Sequence, residues 1–182
     1  MVPLPKGRLP RHPWQAVLVI LAVSMLSLWR TWPSRTPWDQ PTQPVDASLH
    51  RVARVVDGDT LVLADGKQRV RLIGADTPET VKPNWPVEPW GPEATAFTRK
   101  FLADGQNQVR LEFDAERHDK YGRLLAYVWC DDRMLNEELI RAGLARAELW
   151  YRYAEAKKER FRRAESEAKA ARRGIWSGAR GL

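Results

Sequence analysis

Residues 49–76 read LHRVARVVDGDTLVLADGKQRVRLIGAD: three runs rich in β-branched and aliphatic residues, separated by two breaks that each contain Asp-Gly. Asp-Gly between such runs is a strong hairpin signal, because the tight turns that match strand twist require positive φ, which glycine adopts at no steric cost. The stretch is therefore expected to fold as a three-stranded meander. In its third run the period of two places Val70 and Leu72 on one face, and Arg69, Arg71 and Ile73 on the other.

A proline-rich loop, VKPNWPVEPW, follows, and then GPEATAFTRKFLADG. Pro92 stands where helices begin, Ala94, Phe97 and Phe101 share one face, and Gly105 is a stop, so the segment is expected to be helical. QVRLEF alternates as a fourth strand and RLLAYVWC supplies a fifth. LNEELIRAGL is expected to form a short helix ending at Gly143. From about Tyr153 to Arg173 a long basic helix is expected, with Phe161, Ala164, Ala168 and Ala171 as its buried stripe. The order β-β-β-α-β-β-α-α fits an α+β, mainly β fold: a five-stranded barrel of the OB type with three packed helices.

The chain before this domain reads differently. Lys6, Arg8 and Arg11 lie in a basic segment, residues 1–13, ahead of WQAVLVILAVSMLSLW, and Arg30 closes that apolar run. Residues 14–32 have the layout of a transmembrane or signal-anchor helix. Counted from Trp14 to Trp29 the run spans roughly 24 Å as a helix, slightly short of a hydrocarbon core of about 30 Å. Trp14, Trp29 and Trp32 suit the two membrane interfaces, and positive charges ahead of the run favour a cytoplasmic N-terminus. An uncleaved single-pass anchor with the remainder outside the cytoplasm is favoured. The alternative is a signal cleaved near Ala22-Val23-Ser24, giving a secreted or periplasmic protein. Residues 33–48, with Pro33, Pro37, Pro41 and Pro44, form an extended linker, and the folded domain is expected over residues 49–178.

A formal net charge of +7 points to polyanionic partners, nucleic acid or anionic lipid. A lone cysteine, Cys130, excludes an internal disulfide, and its apolar setting reads as a buried side chain rather than a nucleophile. His12, His50 and His118 are too scattered for a zinc site. Against the basic background, Asp57, Asp59, Asp76 and Glu79 cluster near strand ends. Carboxylates with backbone carbonyls make oxygen-only sites for Ca²⁺ or Mg²⁺. Alone, DGDT is also an ordinary hairpin turn and DTPE also has the D-x-x-E form of a helix cap. Arg71 and Arg123 add guanidinium forks that match phosphate oxygens.

VVDGDTLVL, RVRLIGADTPET, WGPEATAFTRKFL, DKYGRLLAYVW and MLNEELIRAGLA, taken in this order and spacing, resemble successive segments of the staphylococcal nuclease (thermonuclease) family over roughly Leu49 to Trp176. The resemblance implies an OB-fold phosphodiesterase, dependent on Ca²⁺, that cuts DNA and RNA with little sequence preference and leaves 3′-phosphate ends. It implies Asp59, Asp76 and the carbonyl of Thr77 as calcium ligands, Glu79 as general base, and Arg71 and Arg123 as phosphate clamps. Lys120, Tyr121 and Tyr151 occupy positions similar to the family's nucleotide contacts. A loop that is lysine-rich in the best-known member carries Trp85 and Trp90 here, as stacking platforms or as packing against the barrel, and Leu149 replaces a tyrosine. No protein partner is expected and a monomer is. The rival readings are a non-catalytic OB module binding single strands and a membrane-surface structural protein; retention of Asp59, Arg71, Asp76, Glu79 and Arg123 favours catalysis.

Overall fold

The computed structural model describes residues 48–81 and 83–178. The basic segment, the apolar run and nearly all of the proline-rich linker lie outside them. Among the described residues no helix is long and apolar enough to cross a membrane.

The meander forms as expected. Strand β1 (His50–Asp57) pairs antiparallel with β2 (Thr60–Leu63), and β2 with β3 (Arg69–Leu72). Register shifts between Val52 and Arg54 and between Val55 and Asp57 bend β1. Such irregularities let one strand serve two neighbours around a barrel, and the start of β1 pairs with β5 (Gln108–Glu112), His50 opposite Val109. β5 pairs antiparallel with β6 (Leu124–Cys130), and β6 pairs parallel with β3, Arg71 opposite Leu125. That last pairing closes a five-stranded OB barrel. Two-residue strands β4 (Ala75–Asp76) and β8 (Arg146–Ala147) pair beside it, and β7 (Arg133–Met134) extends β6.

Three helices pack on the barrel: α1 (Gly91–Asp104), α2 (Leu135–Arg141) and α3 (Glu155–Ala170). Leu61, Val70, Leu72, Val109, Leu111 and Tyr127 fill the interior, and Leu135, Leu139, Ile140 and Phe161 seal it from outside. Burial on this scale supplies the main drive for folding. Buried Asn136 ties α2 to the strands: its Oδ1 accepts the Val128 N–H (3.0 Å) and its Nδ2 donates to the Ile73 carbonyl (2.9 Å).

Several local expectations are corrected. Ile73 does not share the face of Arg69 and Arg71: β3 ends at Leu72, Gly74 turns left-handed (φ 70°), and Ile73 is buried. No helix follows Asp76-Thr77-Pro78-Glu79, so the helix-cap reading of DTPE fails; the next helix starts at Gly91. Phe97 is only half-buried, and Ala171 is exposed because α3 ends at Ala170. Trp90 packs against the core whereas Trp85 stays exposed, which separates two tryptophans that sequence treats alike.

Candidate active site

The parallel pairing of β3 with β6 brings the two arginines together. Arg71 lies opposite Leu125, two residues beyond Arg123, so both side chains reach one cavity of about 410 Å³. Lys120, Tyr121, Glu148, Trp150 and Tyr151 also line it. Asp119 holds Arg123: its carboxylate accepts from Arg123 Nε at 2.6 Å and from the Arg123 backbone N–H at 3.0 Å. Burial opposes ionisation of Asp119, but these bonds outweigh it and hold its carboxyl below the usual range. Tyr121 is exposed, with Lys120 and Arg123 placed 5.0 and 5.5 Å from its ring centre. The Tyr151 hydroxyl donates to Glu116 at 2.8 Å, and burial, then that carboxylate, pushes its pKa up to about 12.

Asp59 and Asp76 meet through Arg71. Its guanidinium pairs with the Asp59 carboxylate and bonds Asp76 Oδ1 at 2.8 Å, while Glu148 Oε2 lies 3.7 Å away. Burial disfavours the charged guanidinium, yet Asp59 and Asp76 raise its pKa further, so Arg71 stays cationic. The other oxygen of Asp59 accepts both the Thr77 N–H and the Thr77 hydroxyl at 2.9 Å. Asp59 is thereby fixed in a fully buried position between the β1–β2 turn and the segment after β4.

Glycine is required in that turn by close approach. A Cβ on Gly58 would stand 2.7 Å from Thr77 Cγ2 and 2.8 Å from Ala94 Cβ, and Thr98 Oγ1 of α1 donates to the Gly58 carbonyl at 2.6 Å. Helix α1 thus locks the acidic turn.

Among the described residues no three His, Cys, Asp or Glu side chains stand gathered as metal ligands; the carboxylates converge on a guanidinium instead. The donor set nevertheless fits a hard divalent cation. It is all oxygen, and three carboxylates (Asp59, Asp76, Glu148) surround one arginine. Burial together with neighbouring negative charge raises two carboxyls here, Asp57 and Glu148. Burial, then the Asp59 charge, pushes Asp57 up to about 6. Burial also raises Glu148, Asp76 and Asp59 add to it, and Arg71 offsets part. Added positive charge would relieve both.

Of the nine residues picked out in the sequence, Arg71, Lys120, Tyr121, Arg123 and Tyr151 line this cavity. Asp76 and Thr77 line a neighbouring one of about 340 Å³, and Asp59 is buried behind them. Glu79 lies three residues past Asp76 in the loop, and its Oε1 accepts the Thr80 and Val81 N–H groups at 2.9 Å each. Its described bonds keep it in that loop. Glu148, Asp119 and Trp150 were not anticipated. Glu148 reaches Arg71 because β4 pairs with β8, Asp76 opposite Arg146, and because its N–H donates to the Gly74 carbonyl at 3.0 Å. No local signal in RAELWY foretells that contact.

Residues 69–178 match the family model described as staphylococcal nuclease homologue. A thermonuclease of Staphylococcus hyicus is 42% identical over 166 residues, covering 88% of this chain and 95% of that protein. One from Staphylococcus intermedius is 42% identical over 162 residues, with 88% and 95% covered. Endonuclease YncB of Bacillus subtilis is 44% identical over 127 residues, 68% of this chain and 59% of that protein. With a barrel closed as an OB fold and two arginines facing one acid-flanked cavity, the chain belongs to the staphylococcal nuclease family.

Proposed function

We propose that this chain cuts DNA and RNA internally, with Ca²⁺, little sequence preference and 3′-phosphate products. As a member of its family it is a nuclease that hydrolyses phosphodiester bonds. The observation that carries the finer reading is the convergence of Arg71 and Arg123 on one cavity beside the Asp59–Asp76 pair.

The two guanidiniums pair with the non-bridging oxygens of the scissile phosphate, where charge builds in the transition state. Asp119 keeps the Arg123 fork aimed, and the acidic neighbours of Arg71 keep it charged. Glu79 orients a water and takes its proton as the water oxygen bonds to phosphorus in line with the 5′ oxygen. The bond to that oxygen breaks; it leaves with the electron pair and takes a proton from solvent water, and the phosphate stays on the 3′ side. Tyr121 and Tyr151 offer ring faces to the nucleotides, and Lys120 offers charge. Asp59, Asp76 and the Thr77 carbonyl would hold Ca²⁺, which when bound supplies Lewis-acid neutralisation of the phosphate.

Single-turnover cleavage of a short oligonucleotide at saturating protein tests the assignment. Arg71→Lys, Arg123→Lys and Glu79→Gln should each slow it about 10²- to 10³-fold with the oligonucleotide still bound. Excess EGTA should stop it. Parental rates in all three variants would move the chemistry to other residues, and full activity in EGTA would remove calcium.

The charge and hydropathy of residues 1–32 support an N-terminal membrane anchor, with residues 33–48 as the linker to a nuclease domain at 49–178 outside the cytoplasm. Retention in membranes through alkaline washing supports the anchor; a soluble form beginning near Met25 supports a cleaved signal.

A further inference from the structure

We propose that Glu88 is a positioning residue for Glu79, with Trp85 as its outer brace. The inference rests on the reading of Glu79 as the base.

Glu88 takes both main-chain groups of Glu79. Its Oε2 accepts the Glu79 N–H at 3.1 Å, and its own N–H donates to the Glu79 carbonyl at 2.9 Å. Its Oε1 accepts Trp85 Nε1–H at 3.1 Å. Its carbonyl accepts the Gly91 N–H at 3.1 Å, which ties the clasp to the first residue of α1. The fit there is close: a Cβ on Gly91 would stand 2.5 Å from Thr80 Cγ2 and 3.0 Å from the Pro78 carbonyl. Helix α1 is in turn bonded to the Asp57–Asp59 turn through Thr98. One rigid element therefore references both the Glu79 turn and the acidic turn.

A loop closure alone would not call for this residue type. A carboxylate clasp sets a second negative charge against the backbone of Glu79, in a wall shared with Asp76 and Thr77. What the charge provides is one charge-assisted bond to the Glu79 N–H and a second to Trp85 that steadies the carboxylate, each about twice as strong as a neutral bond, and so a tighter placement of the peptide that carries Glu79. Tight placement matters at a base because about 1 Å of misplacement can cost about 100-fold in rate. Trp85 is half exposed, yet its indole nitrogen is fixed on Glu88, so its ring braces the clasp from the solvent side.

The test uses the whole chain and a double-mutant cycle. Glu88→Ala should lower the single-turnover rate about 10- to 100-fold, with oligonucleotide affinity and the Ca²⁺ midpoint within about twofold of parental. Glu88→Gln, which keeps one acceptor, should fall between, and Trp85→Phe should lose less than Glu88→Ala. In a Glu79→Gln background Glu88→Ala should change the rate by less than about twofold, because the group it positions no longer accepts a proton. A slow Glu79→Gln beside a parental Glu88→Ala overturns the positioning role alone. A loss of equal size in both backgrounds, or a loss confined to affinity, also overturns it. A parental Glu79→Gln removes the base and with it this inference. Should Glu88→Ala fail to fold, Glu88→Gln in the same two backgrounds decides.

Discussion

Gly58→Ala should inactivate the protein out of proportion to its effect on stability. The new Cβ would meet Thr77 Cγ2 at 2.7 Å, Thr77 Cβ at 2.9 Å and Ala94 Cβ at 2.8 Å. Carbon atoms rest about 3.5 to 4.0 Å apart, so something must retreat by about 1 Å. Ala94 is fully buried in helix α1, and Thr77 lies in a loop, so Thr77 yields first. Its N–H and hydroxyl each reach Asp59 Oδ2 at 2.9 Å, and about 1 Å more takes both beyond hydrogen-bonding range. Overpacking costs about 1–3 kcal/mol, offset by about 0.4–1 kcal/mol from a stiffer unfolded chain, for a net loss of about 1–2 kcal/mol in urea melts. Cleavage should fall about 100-fold, because Asp59 and Thr77 lose their mutual register. Gly66→Ala is the control. Gly66 has φ +67° with nothing within 4 Å of its added Cβ, so it should cost about 1 kcal/mol through backbone alone and leave the cleavage rate unchanged. Equal activity in the two variants at equal stability would refute the claim that the Gly58 contact sets the acidic site.

Lys157 Nζ lies 2.7 Å from Glu112 Oε2 with both residues buried, so Lys157→Met should lower stability by about 3–5 kcal/mol; Glu112→Gln added to it should recover part of that loss in the same urea melts. Cys130 is buried, and burial, with the Asp131 charge, pushes its thiol up to about 11; iodoacetamide at pH 8 should therefore label the native protein at least about 100-fold more slowly than the denatured one. Asp119 has its carboxyl held below the ordinary 3.8, so its contribution is complete above that value and is lost as pH falls through the lower folded one. Urea melts between pH 5 and about pH 2 should show that loss, and Asp119→Asn should remove this component of it.

What could be read from the sequence was what local chemistry decides. Asp-Gly turns, strand alternation and the Phe161–Ala164–Ala168 stripe each depend on neighbours within a few residues, and all three appear, although only Gly66 takes the positive φ expected of these turns and Gly58 is required by close approach instead. Arg71 and Arg123 were recognisable by motif, but their shared cavity depends on a parallel pairing between distant strands. Glu148, Asn136 and Glu88 escaped because each acts on a partner across the fold or across a loop, and an isolated acid or amide in a helix or loop gives no sign of its partner. Ile73 and Ala171 failed for the opposite reason: periodicity was carried one step past the point where Gly74 and the end of α3 redirect the chain.

The strand pair that closes the barrel is also the one that unites the arginines. Arg71 stands early in the domain and Arg123 late, and they meet only where β6 lies along β3. An unfolded chain therefore carries both arginines without the cavity they share. The cavity is thus a property of the closed barrel: whatever opens the β3–β6 seam parts the two arginines.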